Sequence, residues 1–225
     1  MPAIQTIEIG KTYDHYQVLA DISLEVGWGQ CYALFGPNGS GKTTLLRILA
    51  TVHRPSSGRL VLAGYDGARE KIKVREAIFL IAHGSYLYEE LNAVENIRFM
   101  TGLRGGRPDD RDIKRVLDRV GIGAFSDLKT RHFSAGMKKR LSIATAMLIR
   151  PSILFMDEPY SSLDEKGMKM VNDYLQERTR EGGTVFMTTH DRARTAEIAD
   201  RAGVLTRGTL REIPVEDLKE PHEIF

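Results

Sequence analysis

Cysteine is nearly missing from this sequence: Cys31 is the one example in 225 residues. A disulfide within the chain is therefore excluded, and the place of Cys31 in the apolar run 31–35 marks it as a buried thiol rather than a reactive one. Long apolar runs are missing too. The longest covers residues 77–82, where a membrane-spanning helix needs about 20 apolar residues, so no span is expected. Neither sign of charge dominates, since 32 basic and 30 acidic side chains leave a net +2. Charge thus gives no reason to expect nucleic acid or another polyanion as partner. Residues 1–10 lack a basic segment leading into an apolar one, so no export signal is expected and the cytoplasm is the expected compartment. Internal repeats and low-complexity segments are also missing.

What is present suits one large domain, or one domain with a lobe: 225 residues with 42% hydrophobic side chains can bury roughly 70% of the unfolded surface. Residues 4–9 and 18–26 alternate apolar and polar and end at Gly27, Trp28 and Gly29, which predicts antiparallel strands before a buried strand at 31–35. A helix is predicted over 44–50, then a turn at 55–58 and a strand over 59–63. From about residue 83 to 150 the period becomes helical. Asn92 and Glu95 form a capping box, and Ile113, Val116, Leu117 and Val120 share a face that ends at Gly121. Strands are predicted again at 153–156 and 184–188, with a helix between them carrying Met168, Val171 and Leu175 and stopping at Gly182. Two last strands flank Arg207 and Gly208. The class is α/β, with an antiparallel β part and a helical insertion.

Gly36, Pro37, Asn38, Gly39, Ser40, Gly41, Lys42 and Thr43 fit G-x-x-x-x-G-K-S/T between a strand and a helix. Such a loop turns successive backbone amides toward one centre, and the helix adds its positive end. Lys42 is expected on β- and γ-phosphates and the Thr43 hydroxyl on Mg²⁺, with Thr44 continuing the phosphate set. Residues 153–156 form an apolar strand that leads into Asp157 and Glu158. This places two carboxylates at the sheet edge where parallel α/β folds bind ligands. Asp157 is expected in the Mg²⁺ shell, and Glu158 as acceptor of a proton from an attacking water. No evident acceptor pocket supports a kinase, so hydrolysis is the favoured reaction.

Phe133, Ser134, Ala135 and Gly136 resemble a second phosphate grip: Ser134 offers a hydroxyl at a helix start, and two small residues leave amides accessible. A plain N-cap is the alternative, and both readings can hold together. Lys138, Lys139 and Arg140 read as a solvated basic turn, with a phosphate or lipid contact as the alternative. His190, after the strand at 184–188, can bond a γ-phosphate or be a structural histidine. Tyr13 can stack on a base or belong to the core, with Tyr16 as its competitor.

Residues 36–43, Ser134-Ala135-Gly136, residues 153–158, Ser161-Ser162-Leu163-Asp164 and His190, in this order, resemble the nucleotide-binding subunit of ABC transporters over nearly the whole chain. The resemblance implies a P-loop NTPase fold of the ABC type. Residues 1–82 and 151–225 would then form the nucleotide-binding core, and about 83–150 a helical subdomain. It makes ATP and Mg²⁺ the expected cofactors, Tyr13 an adenine-stacking residue and His190 a γ-phosphate contact. It also implies a head-to-tail dimer, in which the second grip of each chain closes on ATP held by the other, and a separate transmembrane permease that holds the subunit at the inner face of the membrane.

Two departures stand out. Met137 replaces the family's signature glutamine, and His83 stands where the family has a glutamine that meets Mg²⁺ and the attacking water. The resemblance therefore makes His83 a catalytic and metal-contact candidate. His83, the Ser-Ala-Gly signature and Asp157-Glu158-Pro159-Tyr160 together resemble the haem-exporter subunits of cytochrome c biogenesis. Export of drugs, lipids or ions is the alternative within the family, and a soluble ABC regulator acting on ribosomes or DNA the alternative outside transport.

Overall fold

The computed structural model describes residues 1–82 and 86–219. Alternation at the start of the chain produces a long antiparallel hairpin, β1 (Ile4–Tyr13) and β2 (Tyr16–Val26), with Tyr13 opposite Tyr16 at its tip. β4 (Ser57–Leu62) pairs with the other side of β1, and the short β5 (Tyr65–Asp66) completes a sheet of order β2-β1-β4-β5. One face of this sheet buries Ile4, Ile9, Leu19, Ile22 and Leu24. Alternation is the mark of an antiparallel sheet covered on one side.

The apolar runs form a different sheet. Its strands are β3 (Cys31–Phe35), β6 (Ile78–Ile81), β7 (Ile153–Asp157), β8 (Thr184–Thr188), β9 (Arg201–Thr206) and β10 (Thr209–Ile213). They lie in the order β10-β9-β3-β8-β7-β6, parallel except for the edge strand β10. Both faces of the five parallel strands are covered, which is why they are apolar without alternation, whereas the edge strand β10 is largely exposed. Tyr32, Leu34, Phe155 and Phe186 face one core, shared with α1 (Lys42–Leu49) and the antiparallel sheet. Tyr32 and Phe186 stack there at 5.2 Å. Cys31, Ala33, Phe35, Leu154, Met156, Val185 and Met187 face the other core.

Helices fill that second side: α3 (Ala93–Gly102), α4 (Asp110–Arg119), α5 (Ala135–Ile149) and α6 (Glu165–Arg180). The first three lie in the chain between β6 and β7 and so form the insertion. Asn92 and Glu95 make the capping box, with both bonds formed, at 2.9 and 2.8 Å. Ile113, Val116, Leu117 and Val120 are buried, and Gly121 takes φ 75 where that face ends. Short helices α2 (Lys71–Ala77) and α7 (Arg192–Thr195) complete the set. α2 has no sequence forecast because Val74 is its one buried residue and no apolar stripe forms. α1 begins at Lys42, two residues earlier than predicted, because the left-handed Gly41 turns the chain directly into the helix. No helix among the described residues is long and apolar enough to cross a membrane.

Candidate functional site

Three neighbouring parallel strands set the frame. Leu34 of β3 pairs with Thr188 of β8, and Thr188 with Asp157 of β7, so one register row joins the three carboxyl ends. Ligands of parallel sheets bind just beyond such ends.

After β3 the chain turns through Gly36 (φ 145), Gly39 (φ 79) and Gly41 (φ 104), backbone states that favour glycine. A Cβ at Gly36 would sit 2.2 Å from the Leu205 carbonyl oxygen, so no side chain fits there. Pro37, Asn38 and Gly39 are exposed, as is Thr43, while Thr44 is half-buried. α1 has no side-chain cap and no acid in its first turn, which leaves its first amides for an anion. Ser40 is buried and its hydroxyl has no partner among the described residues, an orphaned donor inside the loop. The Lys42 ammonium folds across the loop onto the carbonyls of Gly36 (2.7 Å) and Pro37 (3.0 Å). Partial burial lowers its pKa, against the opposing pull of Glu158 and Asp157.

Asp157 is 5% exposed. Its carboxylate accepts from the Thr188 hydroxyl on one oxygen and, at 3.4 Å, from the Thr43 hydroxyl on the other. Two donors offset the cost of burying that charge. A hydroxyl and a carboxylate oxygen side by side fit Mg²⁺, a hard cation that takes one or two protein oxygens and completes its shell with water and substrate phosphates. No cluster of three metal-ligating side chains exists among the described residues, so Asp157 and Thr43 are the fit that this structure offers.

Glu158 follows with φ 48, a left-handed backbone that costs a non-glycine residue about 1–2 kcal/mol. It is held there from three sides. Its amide donates to Thr188 O at 2.9 Å, and its carbonyl accepts from Lys139 Nζ at 2.8 Å and Ser161 Oγ at 2.9 Å. Its carboxylate Oε2 lies 2.8 Å from His190 Nδ1, with the His190 side chain 80% exposed. The structure therefore brings Lys42, Thr43, Asp157, Glu158 and His190 to one end of the sheet.

Tyr13 is 43% exposed, with the Lys11 ammonium 4.7 Å from its ring centroid, and Tyr16 is 75% exposed. Neither is core. Val18 and Leu19 of the same hairpin sit against Gly41, so the hairpin lies beside the phosphate-type loop. His83 lies outside the described residues.

The second grip lies at the start of α5. Ser134 caps α5, its hydroxyl accepting from Met137 N at 3.2 Å, and Ser134 and Ala135 are exposed. Among the described residues no hydrogen bond joins Ser134, Ala135 or Gly136 to residues 36–43, Asp157, Glu158 or His190.

The expected solvated basic turn is overturned. Lys139 is buried and donates to the carbonyls of Asp157 and Glu158. Lys138 pairs with Glu89 at 2.8 Å, and Arg140 binds Val120 O and Asp164. On a helix, residues so close in sequence point to different sides, and here each side meets a fixed acceptor. Lys139 and Thr188 were missed as site residues. The signal for Thr188 was its register partner, which a single sequence does not display.

The family profile described as ABC transporter matches residues 19–161, more than half of the chain. The chain belongs to the ABC transporter family. Among curated proteins, the sulfate/thiosulfate import ATP-binding protein CysA of Mesorhizobium japonicum is 32% identical over 95% of the chain and 64% of its own length. An uncharacterised ABC transporter ATP-binding protein of Bacillus subtilis, YcbN, is 33% identical over 96% of the chain and 71% of its own length. The chain thus spans just under two thirds of the first of these curated relatives. An ATP-binding subunit of an ABC transporter has a solved structure that superposes with TM-score 0.88 at 25% identity, covering 96% of this chain and 91% of that one. A dimeric ATP-binding cassette bound to ADP and Pi, at 24% identity and TM-score 0.86, shares the fold. Together they establish the ABC-type P-loop NTPase fold. None of these relatives is named for haem, so the narrower resemblance to haem exporters gains no support from them.

Proposed function

We propose that this chain is the ATP-hydrolysing subunit of an ABC transporter, working as a head-to-tail dimer that drives separate transmembrane permease subunits. The observation that carries the reading is the pairing of Lys42, Thr43, Asp157 and Glu158 at the ends of β3, β7 and β8 with a solvent-facing second grip on α5. One chain has the first half of a site and, elsewhere, the second half of another. Residues 1–82 and 151–225 would be the nucleotide-binding core, and about 83–150 the helical subdomain.

In this reading the loop amides and Lys42 bind the β- and γ-phosphates, Tyr13 stacks on the adenine, and Thr43 and Asp157 hold Mg²⁺. When bound, the cation neutralises charge on the phosphate oxygens. Glu158 accepts a proton as water attacks the γ-phosphorus. The new P–O bond forms as the bond to the β-phosphate oxygen breaks, giving ADP and phosphate. His190 turns from Glu158 to the γ-phosphate, and Ser134, Ala135 and Gly136 of the partner cover it. His83 is assigned to the metal and water contact by the family resemblance.

Glu158→Gln tests the reading: ATP binding persists, while turnover falls by about 10²- to 10⁴-fold. The cargo has two readings, sulfate import from the names of relatives and haem export from His83, Ser134-Ala135-Gly136 and Asp157-Glu158-Pro159-Tyr160. ATPase stimulation by haem or by sulfate, measured on the chain with the permease that co-purifies with it, separates them.

A further inference from the structure

α5 carries two things within its first turns. Its cap, Ser134, is exposed at the second grip, and Lys139 is buried on the side that meets β7. The Lys139 ammonium reaches two successive carbonyls, those of Asp157 at 3.2 Å and Glu158 at 2.8 Å. The Glu158 carbonyl belongs to the residue with left-handed backbone, and a backbone held there needs its surroundings to fix it. Among the described residues Ser161 Oγ is the other side-chain donor to that oxygen. Because Cβ is fixed relative to its residue's own N, Cα and C, and φ and ψ limit the rotamers beyond it, holding the amide and carbonyl of Glu158 also limits where its carboxylate points.

We infer that Lys139 is a positioning residue: it fixes the left-handed backbone from which the Glu158 carboxylate reaches water, and it ties that backbone to the helix whose cap covers the partner's nucleotide. Each chain then joins the two sites of the dimer through one side chain, the grip on one ATP and the base for the other. An apolar side chain of similar length keeps the packing and removes the donor. A neutral amide restores a donor without the charge. The inference rests on the proposed ATPase reading.

The test compares Lys139→Met and Lys139→Gln with the wild-type full chain, measuring kcat, KM, ATP binding and the unfolding midpoint. Lys139→Met is expected to lower kcat by about 10- to 100-fold, the scale of a roughly 1 Å misplacement, with KM and ATP affinity within about twofold. Lys139→Gln is expected to recover most of kcat while unfolding at the same denaturant concentration as Lys139→Met. In a Glu158→Gln background, Lys139→Met is expected to cost less than about twofold in single-turnover rate, since its effect passes through Glu158. Unchanged kcat in Lys139→Met, a failure of Lys139→Gln to recover, or full additivity with Glu158→Gln overturns the inference. A wild-type chain that does not turn over ATP overturns the ATPase reading itself, and the positioning role with it.

Discussion

Gly136 packs against Ser162 so closely that a Cβ on the glycine would stand 2.4 Å from the Ser162 carbonyl oxygen. The small residue in the second grip is therefore demanded from inside the chain. Ser162 is itself in a left-handed backbone state at φ 64, and Arg140 of α5 pairs with Asp164 in the same segment. α5 and residues 161–164 are fitted to each other before any partner arrives.

Gly136→Ala is expected to destabilise the chain by about 1–3 kcal/mol, because the clash is with backbone and forces a shift. Denaturant unfolding measures it. Ala135→Gly, at an exposed position, serves as the comparison and is expected to change stability by no more than about 1 kcal/mol, the helix-propensity difference.

The order of strands, loop and helices was largely legible, because apolar runs, alternation and glycine punctuation each have a local cause. Asn92 with Glu95 and the face from Ile113 to Val120 could be read in place. The tertiary role of charge was not legible. Lys138, Lys139 and Arg140 look like solvated cations in one dimension, yet their acceptors are carbonyls and acids far along the chain. The pairing of Asp157 with Thr188 depended likewise on strand register. For the site, the loop and the carboxylate pair were visible as motifs, whereas the closeness of His190 to Glu158 required the fold.

Asp157→Asn is expected to lower Mg²⁺-dependent hydrolysis by about 10²-fold or more and to raise the Mg²⁺ concentration needed for half-maximal rate. Titration of ATPase activity with Mg²⁺ checks this, and chelation with EDTA is expected to abolish turnover in the wild type.

Cys31 is expected to resist alkylation at pH 8 while the chain is folded and to react fully in guanidinium. Burial pushes its thiol pKa up, and the Asp200 carboxylate adds to the effect. An acid whose folded pKa is raised contributes stability below its unfolded pKa and loses it above. Stability should therefore fall as pH climbs past about 8.5, the ordinary thiol value, and Cys31→Ala should flatten that part of the profile.

The central claim is that each active site is built from two chains. Ser134→Arg spoils only the grip that a chain offers its partner, and Glu158→Gln spoils only the base that it uses itself. Each variant alone is expected to hydrolyse ATP poorly. Mixed in equal amounts, they form dimers in which one site has an intact Glu158 and an intact partner Ser134. Random pairing then restores about a quarter of the wild-type sites in a twofold-symmetric dimer. ATPase activity of the mixture well above the sum of the two variants, and rising with protein concentration, is the predicted result. A mixture no more active than its components, beside a wild type whose activity per chain does not depend on concentration, would contradict the account.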